Sequence, residues 1–252
     1  MVLVFLFVLG LAVGSFLNVC IDRLPKNKKI TGRSQCDFCK KKLKPIDLIP
    51  VFSFFQLGGK CKYCHKKLSF YYPFVEIVTA VVFVVLWVYL PQSEIQKVFY
   101  LGLFATLIGI FFADLKYQII PDELQITLFI FAFFLIADRG GGVKQLAEHL
   151  FSGAIVMLPM YLLHILTKGK GMGFGDVKLS FIIGFLLGIT GGFIALYLGF
   201  AVGAVIGVGL LMSKKRKWKS KIAFGPFIVI GFISVLLSGQ RLIELVREIY
   251  RF

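Results

Sequence analysis

The 252-residue chain is 58% hydrophobic, with a mean hydropathy of +0.85, a composition that excludes an ordinary soluble globular domain. Its formal net charge of +16 comes from 29 lysines and arginines against 13 acids, so the placement of those bases decides whether they mean nucleic-acid affinity or membrane topology. Apolar runs near the ~20 residues needed to cross a hydrocarbon core of roughly 30 Å fall at about 2–19, 70–90, 98–113, 124–138, 150–166, 177–190, 193–212 and 222–239. They predict an all-α, polytopic membrane protein of about eight transmembrane helices, the fourth and sixth runs being short. A chain this small has no interior able to hide so many apolar helices. The first run opens Met1-Val2-Leu3-Val4 without a basic leader and its charges, Asp22 and Arg23, follow it, so it is read as a retained span rather than a cleaved signal.

The bases are segregated. Between the first two runs lie Arg23, Lys26, Lys28, Lys29, Arg33, Lys40, Lys41, Lys42, Lys44, Lys60, Lys62, Lys66 and Lys67, which assigns this loop to the cytoplasm by the positive-inside rule. Alternating spans bring Lys116, Lys168, Lys170 and the cluster Lys214, Lys215, Arg216, Lys217, Lys219 and Lys221 to the same side, and leave the amino terminus outside. The carboxyl tail from Arg241, with three arginines, fits this alternation least well. The excess charge therefore reads as topology and contact with anionic lipid, and nucleic acid is not an expected partner.

Within the basic loop stand Cys36-Asp37-Phe38-Cys39 and Cys61-Lys62-Tyr63-Cys64, two pairs that each set thiolates one tight turn apart, as tetrahedral zinc requires. The spacer between them is one residue longer than the usual zinc-ribbon range. Disulfides are the competing reading, but a cytoplasmic loop is reducing and favours metal or free thiols. Cys36, Cys39, Cys61 and Cys64 are thus candidate ligands of a structural zinc, with the surrounding lysines offsetting the charge of four thiolates. His65 is an alternative ligand, and Cys20 is read as a small residue at a span end.

Acids at a membrane are costly and tend to mark working sites. Asp114 closes the third run, Asp122 and Glu123 open the fourth after Pro121, Asp176 opens the sixth, and Glu76 lies in the second. Alternation brings Asp114 and Asp176 to one membrane surface. Asp176 follows Gly169-Lys170-Gly171-Met172-Gly173-Phe174-Gly175, a segment whose glycines permit positive φ and close approach. Alone, Asp176 reads more readily as a helix cap than as a catalyst, and Asp114 as an interfacial acid beside Lys116. As a pair, two crowded and partly desolvated carboxylates cannot both ionise easily, so one keeps a proton while the other activates water, the chemistry of an aspartyl protease.

Gly173-Phe174-Gly175-Asp176, continuing into Val177-Lys178-Leu179, resembles the GxGD signature of membrane aspartyl proteases. The run Asp114-Leu115-Lys116-Tyr117-Gln118-Ile119-Ile120-Pro121-Asp122 resembles the first-aspartate motif of bacterial type IV prepilin peptidases. Gly14-Ser15-Phe16-Leu17-Asn18-Val19, then Arg23-Leu24-Pro25, the double Cys-x-x-Cys loop, Tyr72-Pro73-Phe74-Val75-Glu76 and Phe224-Gly225-Pro226-Phe227 are similar to that family's other segments, in its order. Asp37 departs from the proline that many members place after the first cysteine. The resemblance implies Asp114 and Asp176 as catalytic, with Gly173, Gly175, Asp122 and Lys178 supporting them. It implies cleavage, after glycine, of the basic leader of type IV prepilins and pseudopilins. N-methylation of the new amino terminus, commonly phenylalanine, would follow, with S-adenosylmethionine as donor. Substrates of this kind serve type IV pili or type II secretion, and the enzyme is expected in the bacterial inner membrane with its aspartates and zinc loop facing the cytoplasm.

No Rossmann glycine fingerprint follows a strand pattern, so methyl transfer rests on resemblance alone, with Gly14 to Asn18, the cysteine loop and Glu76 as the region to search. The domain expectation is residues 1–90 with the zinc loop and 91–252 with the aspartates. Two other functions remain open: an ion or solute transporter with intramembrane acids, and a GxGD protease without methyl transfer.

Overall fold

The structure, a computed structural model, describes residues 1–36, 38–213 and 223–250. Asp37 and the basic cluster of Lys214, Lys215, Arg216, Lys217, Lys219 and Lys221 lie outside the described residues. Among the described residues there is no β-strand, only two isolated bridges, and the helices run in the order α1 (Val2–Arg23), α2 (Phe52–Gln56), α3 (Tyr71–Tyr89), α4 (Glu94–Tyr117), α5 (Asp122–Ala137), α6 (Gly142–Leu166), α7 (Phe174–Met212) and α8 (Gly225–Tyr250). The all-α expectation holds.

Among the described residues, five helical stretches have the length and apolar composition to cross a membrane: Val2–Lys26, Tyr71–Tyr89, Glu94–Tyr117, Gly142–Leu166 and Phe174–Leu210. The stretch α7 holds two helical segments, in keeping with the sixth and seventh predicted runs, broken at Gly188 where φ is 74° and ψ −177°, a conformation essentially confined to glycine. Helix α5, the short fourth run, has 16 residues, roughly 24 Å of rise, and the apolar part of α8 is the shorter segment Gly225–Ser238. Large apolar side chains such as Val4, Leu166 and Val205 stand exposed, as lipid-facing surfaces require.

The chain divides into two compact units, Met1–Gly109 and Ile110–Phe252, the boundary falling within α4. In the first, α1 packs on α3 through glycine: a Cβ on Gly14 would come within 2.6 Å of the Glu76 Cα, and Gly10 faces the Ala80 backbone as closely. Small residues let apolar helices approach in a membrane, where lipid competes for every larger side chain. The same device joins α6 to α7 in the second unit, where a Cβ on Gly184 would sit 2.6 Å from Val156 Cβ and 2.8 Å from the Ser152 carbonyl. Helix α8 meets α7 through Gly231 against the Ala195 carbonyl, and α5 completes the unit against α7.

Candidate active site and metal centre

Local sequence explains how the second unit brings its acids together. Helix α4 ends one residue after Lys116, where Gln118 takes a left-handed conformation (φ 55°) and returns its N–H to the Asp114 carbonyl at 2.8 Å, a C-terminal cap of the αL type. Ile119 and Ile120 then lead to Pro121, whose extended backbone starts α5 at Asp122. The spacing from Asp114 to Asp122 is thus one helix exit, one cap and one helix entry. Asp114 is left on the last turns of α4, 5% exposed.

Asp176 arrives from the other direction. Helix α6 ends at Leu166, Lys168 (φ 50°) and Gly169 (φ 73°) reverse the chain, and His164 holds the loop by an imidazole Nδ1 contact of 2.8 Å to the Met172 carbonyl while its ring packs against Phe174. Asp176 is the third residue of α7. Its N–H donates to the Gly173 carbonyl at 3.2 Å, and the Gly173 N–H donates back to its carboxylate, which is the acidic half of a capping box. The capping alternative is therefore part of the geometry, but only one oxygen serves it. Asp176 is 8% exposed and its Oδ1 is buried without a hydrogen-bond partner.

Asp114 lies close enough for its charge to act on Asp176. Its Oδ2 accepts the Gly225 N–H at 2.9 Å, from the first turn of α8, where free N–H groups and the helix dipole favour a carboxylate. Gly225 has no room for a side chain, since a Cβ there would meet Asp114 Oδ2 at 2.8 Å and Ile120 Cδ1 at 3.0 Å. Ile120 also limits Gly175, whose Cβ would approach Ile120 Cβ to 3.1 Å. One side chain thus spaces the glycine that serves Asp114 from the glycine beside Asp176. Gly173 is looser: its nearest neighbour would be Asp176 Oδ2 at 3.4 Å.

The other expected residues are also found. Lys178 Nζ lies 2.8 Å from both oxygens of Asp122, an exposed pair that ties the start of α5 to α7 and engages Asp122 away from the buried carboxylates. Two contributors were not assigned roles from sequence: the Gly225 N–H, although its Phe-Gly-Pro-Phe segment stood out, and Gln125, a buried side chain whose Nε2 would lie 3.5 Å from a Cβ on Gly175. A glutamine three residues inside an apolar helix was the available signal.

In the first unit Cys36, Cys39, Cys61 and Cys64 gather with all ligand atoms within 4.8 Å of one another. Each pair forms the same small turn: Cys36 and Cys61 receive the N–H of the left-handed residues Lys40 and His65 at 2.9 Å, and antiparallel bridges Gln35 to Lys42 and Lys60 to Lys67 close the two turns. His65 occupies that turn position and is not among the clustered ligands. The Cys36 and Cys64 sulfurs are 3.9 Å apart, against about 3.8 Å for two thiolates on one tetrahedral zinc, and none of the four clustered cysteines is in a disulfide. The four sulfurs are placed to hold a metal ion. The Cys64 and Tyr63 N–H groups bring the Cys61 thiol down to about 7. At Cys64 the Lys66 N–H favours the thiolate, but desolvation and the neighbouring sulfurs prevail and push it up to about 11.

Beside this module the signature residues of α1 and α3 converge. Glu76, buried, accepts the Val51 N–H at 2.8 Å and a hydrogen bond from the Ser15 side chain, while Asn18 Nδ2 donates to the Tyr72 carbonyl at 3.0 Å and Tyr72 donates its hydroxyl to Asp22 at 2.9 Å.

Known proteins resemble this chain over most of its length. Residues 8–90 match the bacterial peptidase A24 N-terminal domain, and residues 101–208 match the type IV leader peptidase family. A protein of Bacillus subtilis named prepilin leader peptidase/N-methyltransferase is 32% identical over 241 residues, covering 95% of each chain. Proteins of the same name from Aeromonas salmonicida and Pseudomonas aeruginosa are each 32% identical, over 94% and 92% of this chain and 90% and 89% of their own. No solved structure matches the chain. With its multi-pass apolar helices and relatives matched over nearly their full length, the chain belongs to the type IV leader peptidase family.

Proposed function

We propose that this chain is a membrane aspartyl endopeptidase that removes the basic leader of type IV prepilins and pseudopilins and then methylates the new amino terminus, with Asp114 and Asp176 as the catalytic pair. The observation that carries the reading is the pair itself: two buried carboxylates within electrostatic reach, one steadied by a helix N–H and the other with a bare oxygen. Confined together, the two share a proton. The unprotonated carboxylate takes a proton from water as its oxygen bonds to the scissile carbonyl carbon, and the protonated partner donates to the carbonyl oxygen. Collapse of the tetrahedral intermediate breaks the C–N bond, and the leaving amine takes up a proton. Asp122, held by Lys178, and Gly173 and Gly175 support the site without entering the chemistry.

The cysteine cluster fits zinc by its donor set and sulfur spacing, and a closed four-thiolate site is structural. For methyl transfer, S-adenosylmethionine supplies an electrophilic methyl group to the freed amine. The region around Gly14 to Asn18 and Glu76 suits its polar end, since Asn18 Oδ1 is a buried acceptor without a partner and Glu76 is a buried carboxylate. Residues 1–90 then form the zinc and methyl-transfer region and 91–252 the peptidase. The basic loop between α1 and α3 supports a cytoplasmic setting for both sites and an inner-membrane location with the amino terminus outside.

The test is to incubate purified protein in detergent with a peptide spanning a prepilin leader and its helix, with and without S-adenosylmethionine, and identify products by mass spectrometry. Cleavage after glycine, with one methyl group added only when the donor is present, is the expected result. An intact peptide would reopen the transporter reading; cleavage without methylation would favour a peptidase alone.

A further inference from the structure

Gln125 is 3% exposed, and neither end of its carboxamide has a hydrogen-bond partner. Burying an amide with donor and acceptor both unmet is costly, and an apolar side chain of the same length would carry no such cost. Its position is informative. Helix α5 directs it toward Gly175, the residue before Asp176, and among the described residues of this unit the other buried side-chain oxygen without a partner is Asp176 Oδ1. Three unmet polar atoms, one donor and two acceptors, therefore lie at one end of the unit beside the proposed catalytic pair.

We propose that Gln125 binds the substrate main chain beside the scissile bond, its Oε1 accepting a backbone N–H and its Nε2 donating to a backbone carbonyl of the same extended residue. The chemistry of the substrate supports this ligand. A peptide bond inside a helix has its N–H and C=O committed to the helix, so the segment to be cut must be drawn out into extended form. Extension leaves main-chain donors and acceptors bare in a poorly hydrated place. A neutral carboxamide meets one of each, adds no charge beside the aspartates, and reads backbone rather than side chain, which suits an enzyme whose substrates share a cleavage geometry.

This inference rests on the peptidase reading, and its experiment separates the two. Wild type and Gln125→Met, which keeps length and volume but removes both hydrogen-bonding groups, are given a prepilin peptide and a set of analogues in which single backbone amides flanking the scissile bond are replaced by esters. Gln125→Met is expected to lower kcat/KM roughly tenfold to a hundredfold, the worth of two hydrogen bonds. One ester position is expected to cost the wild type severalfold and the variant nothing further. Without peptide, the melting temperature of Gln125→Met should equal or exceed that of the wild type, because the orphaned groups are gone; a merely structural glutamine would lower it. Equal ester penalties in both proteins at every position overturn the inference, as does an unchanged kcat/KM in the variant. Failure of the wild type to cleave any peptide would bring down the peptidase reading itself.

Discussion

The cysteine module and the aspartate centre are built on opposite plans. In the module, four candidate ligands come from two short turns with matching hydrogen bonds, and each turn is closed by its own bridge. At the aspartates, the essential contact joins residues 111 apart in sequence, from α4 and the start of α8, and polar atoms are left unmet. The first plan gives a site complete in itself, as a structural metal needs. The second leaves unmet groups for a substrate, at a cost to stability that functional sites commonly carry.

That contrast is most exposed to Asp114→Asn and Asp176→Asn. Each should lower cleavage by about a thousandfold or more, the scale of lost general acid–base catalysis, while bound metal and melting temperature stay near wild type. Next, Cys36→Ser with Cys61→Ser should abolish bound zinc, read by elemental analysis, and open residues 30–70 to limited proteolysis, because among the described residues of that segment only Cys36 and Cys61 themselves are buried, leaving little to replace the ion. If metal were also lost in the aspartate variants, the two sites would not be separate.

The glycines grade the aspartate centre more finely. Gly225→Ala pushes directly on the Asp114 carboxylate, and should lower kcat by roughly tenfold to a hundredfold with little change in melting temperature, since a shift of about 1 Å in a reacting group is enough for that loss. Gly175→Ala, pressed against the branched Ile120, should cost less activity but more stability, and Gly173→Ala, whose Cβ would meet Asp176 Oδ2 only at ordinary van der Waals distance, should stay nearest wild type. A reversed order would mean that Ile120 and Asp114 do not set the spacing.

The smallest effect belongs to Asp47. Burial works against its charge, but the Lys44 N–H, Lys62 and the Tyr63 hydroxyl outweigh it and hold its carboxyl below the ordinary 3.8. The sign follows: its contribution is complete above that value and lost as pH falls through the lowered one. Asp47→Asn should destabilise the cysteine module by about 0.5–1.5 kcal/mol at neutral pH and flatten its acid-side melting curve.

Helix placement was legible because period and length of apolar runs survive any packing, and the cysteine turns were legible because their spacing is the geometry. The break within α7 was legible as the gap between the sixth and seventh runs, though its place at Gly188 was not, since that glycine turns the chain without interrupting its hydrophobicity. Asp114 and Asp176 stood out as acids in apolar surroundings, yet the Gly225 N–H is a backbone group from a distant helix, and no side-chain pattern announces it. Gln125 was hidden for a related reason: a single amide in a helix reads as tolerated until its burial and missing partners are known. Lys178 was named by motif, and only the fold assigns it to Asp122.

The central claim is that Asp114 and Asp176 act as one unit. The direct measurement is single-turnover cleavage of a prepilin peptide by wild type, Asp114→Asn, Asp176→Asn and the double variant, with zinc content checked in each. Residues that act together are non-additive, so the double variant is predicted to be no slower than either single one. A double variant slowed by the product of the two losses, or either single variant at the wild-type rate, would contradict the pair.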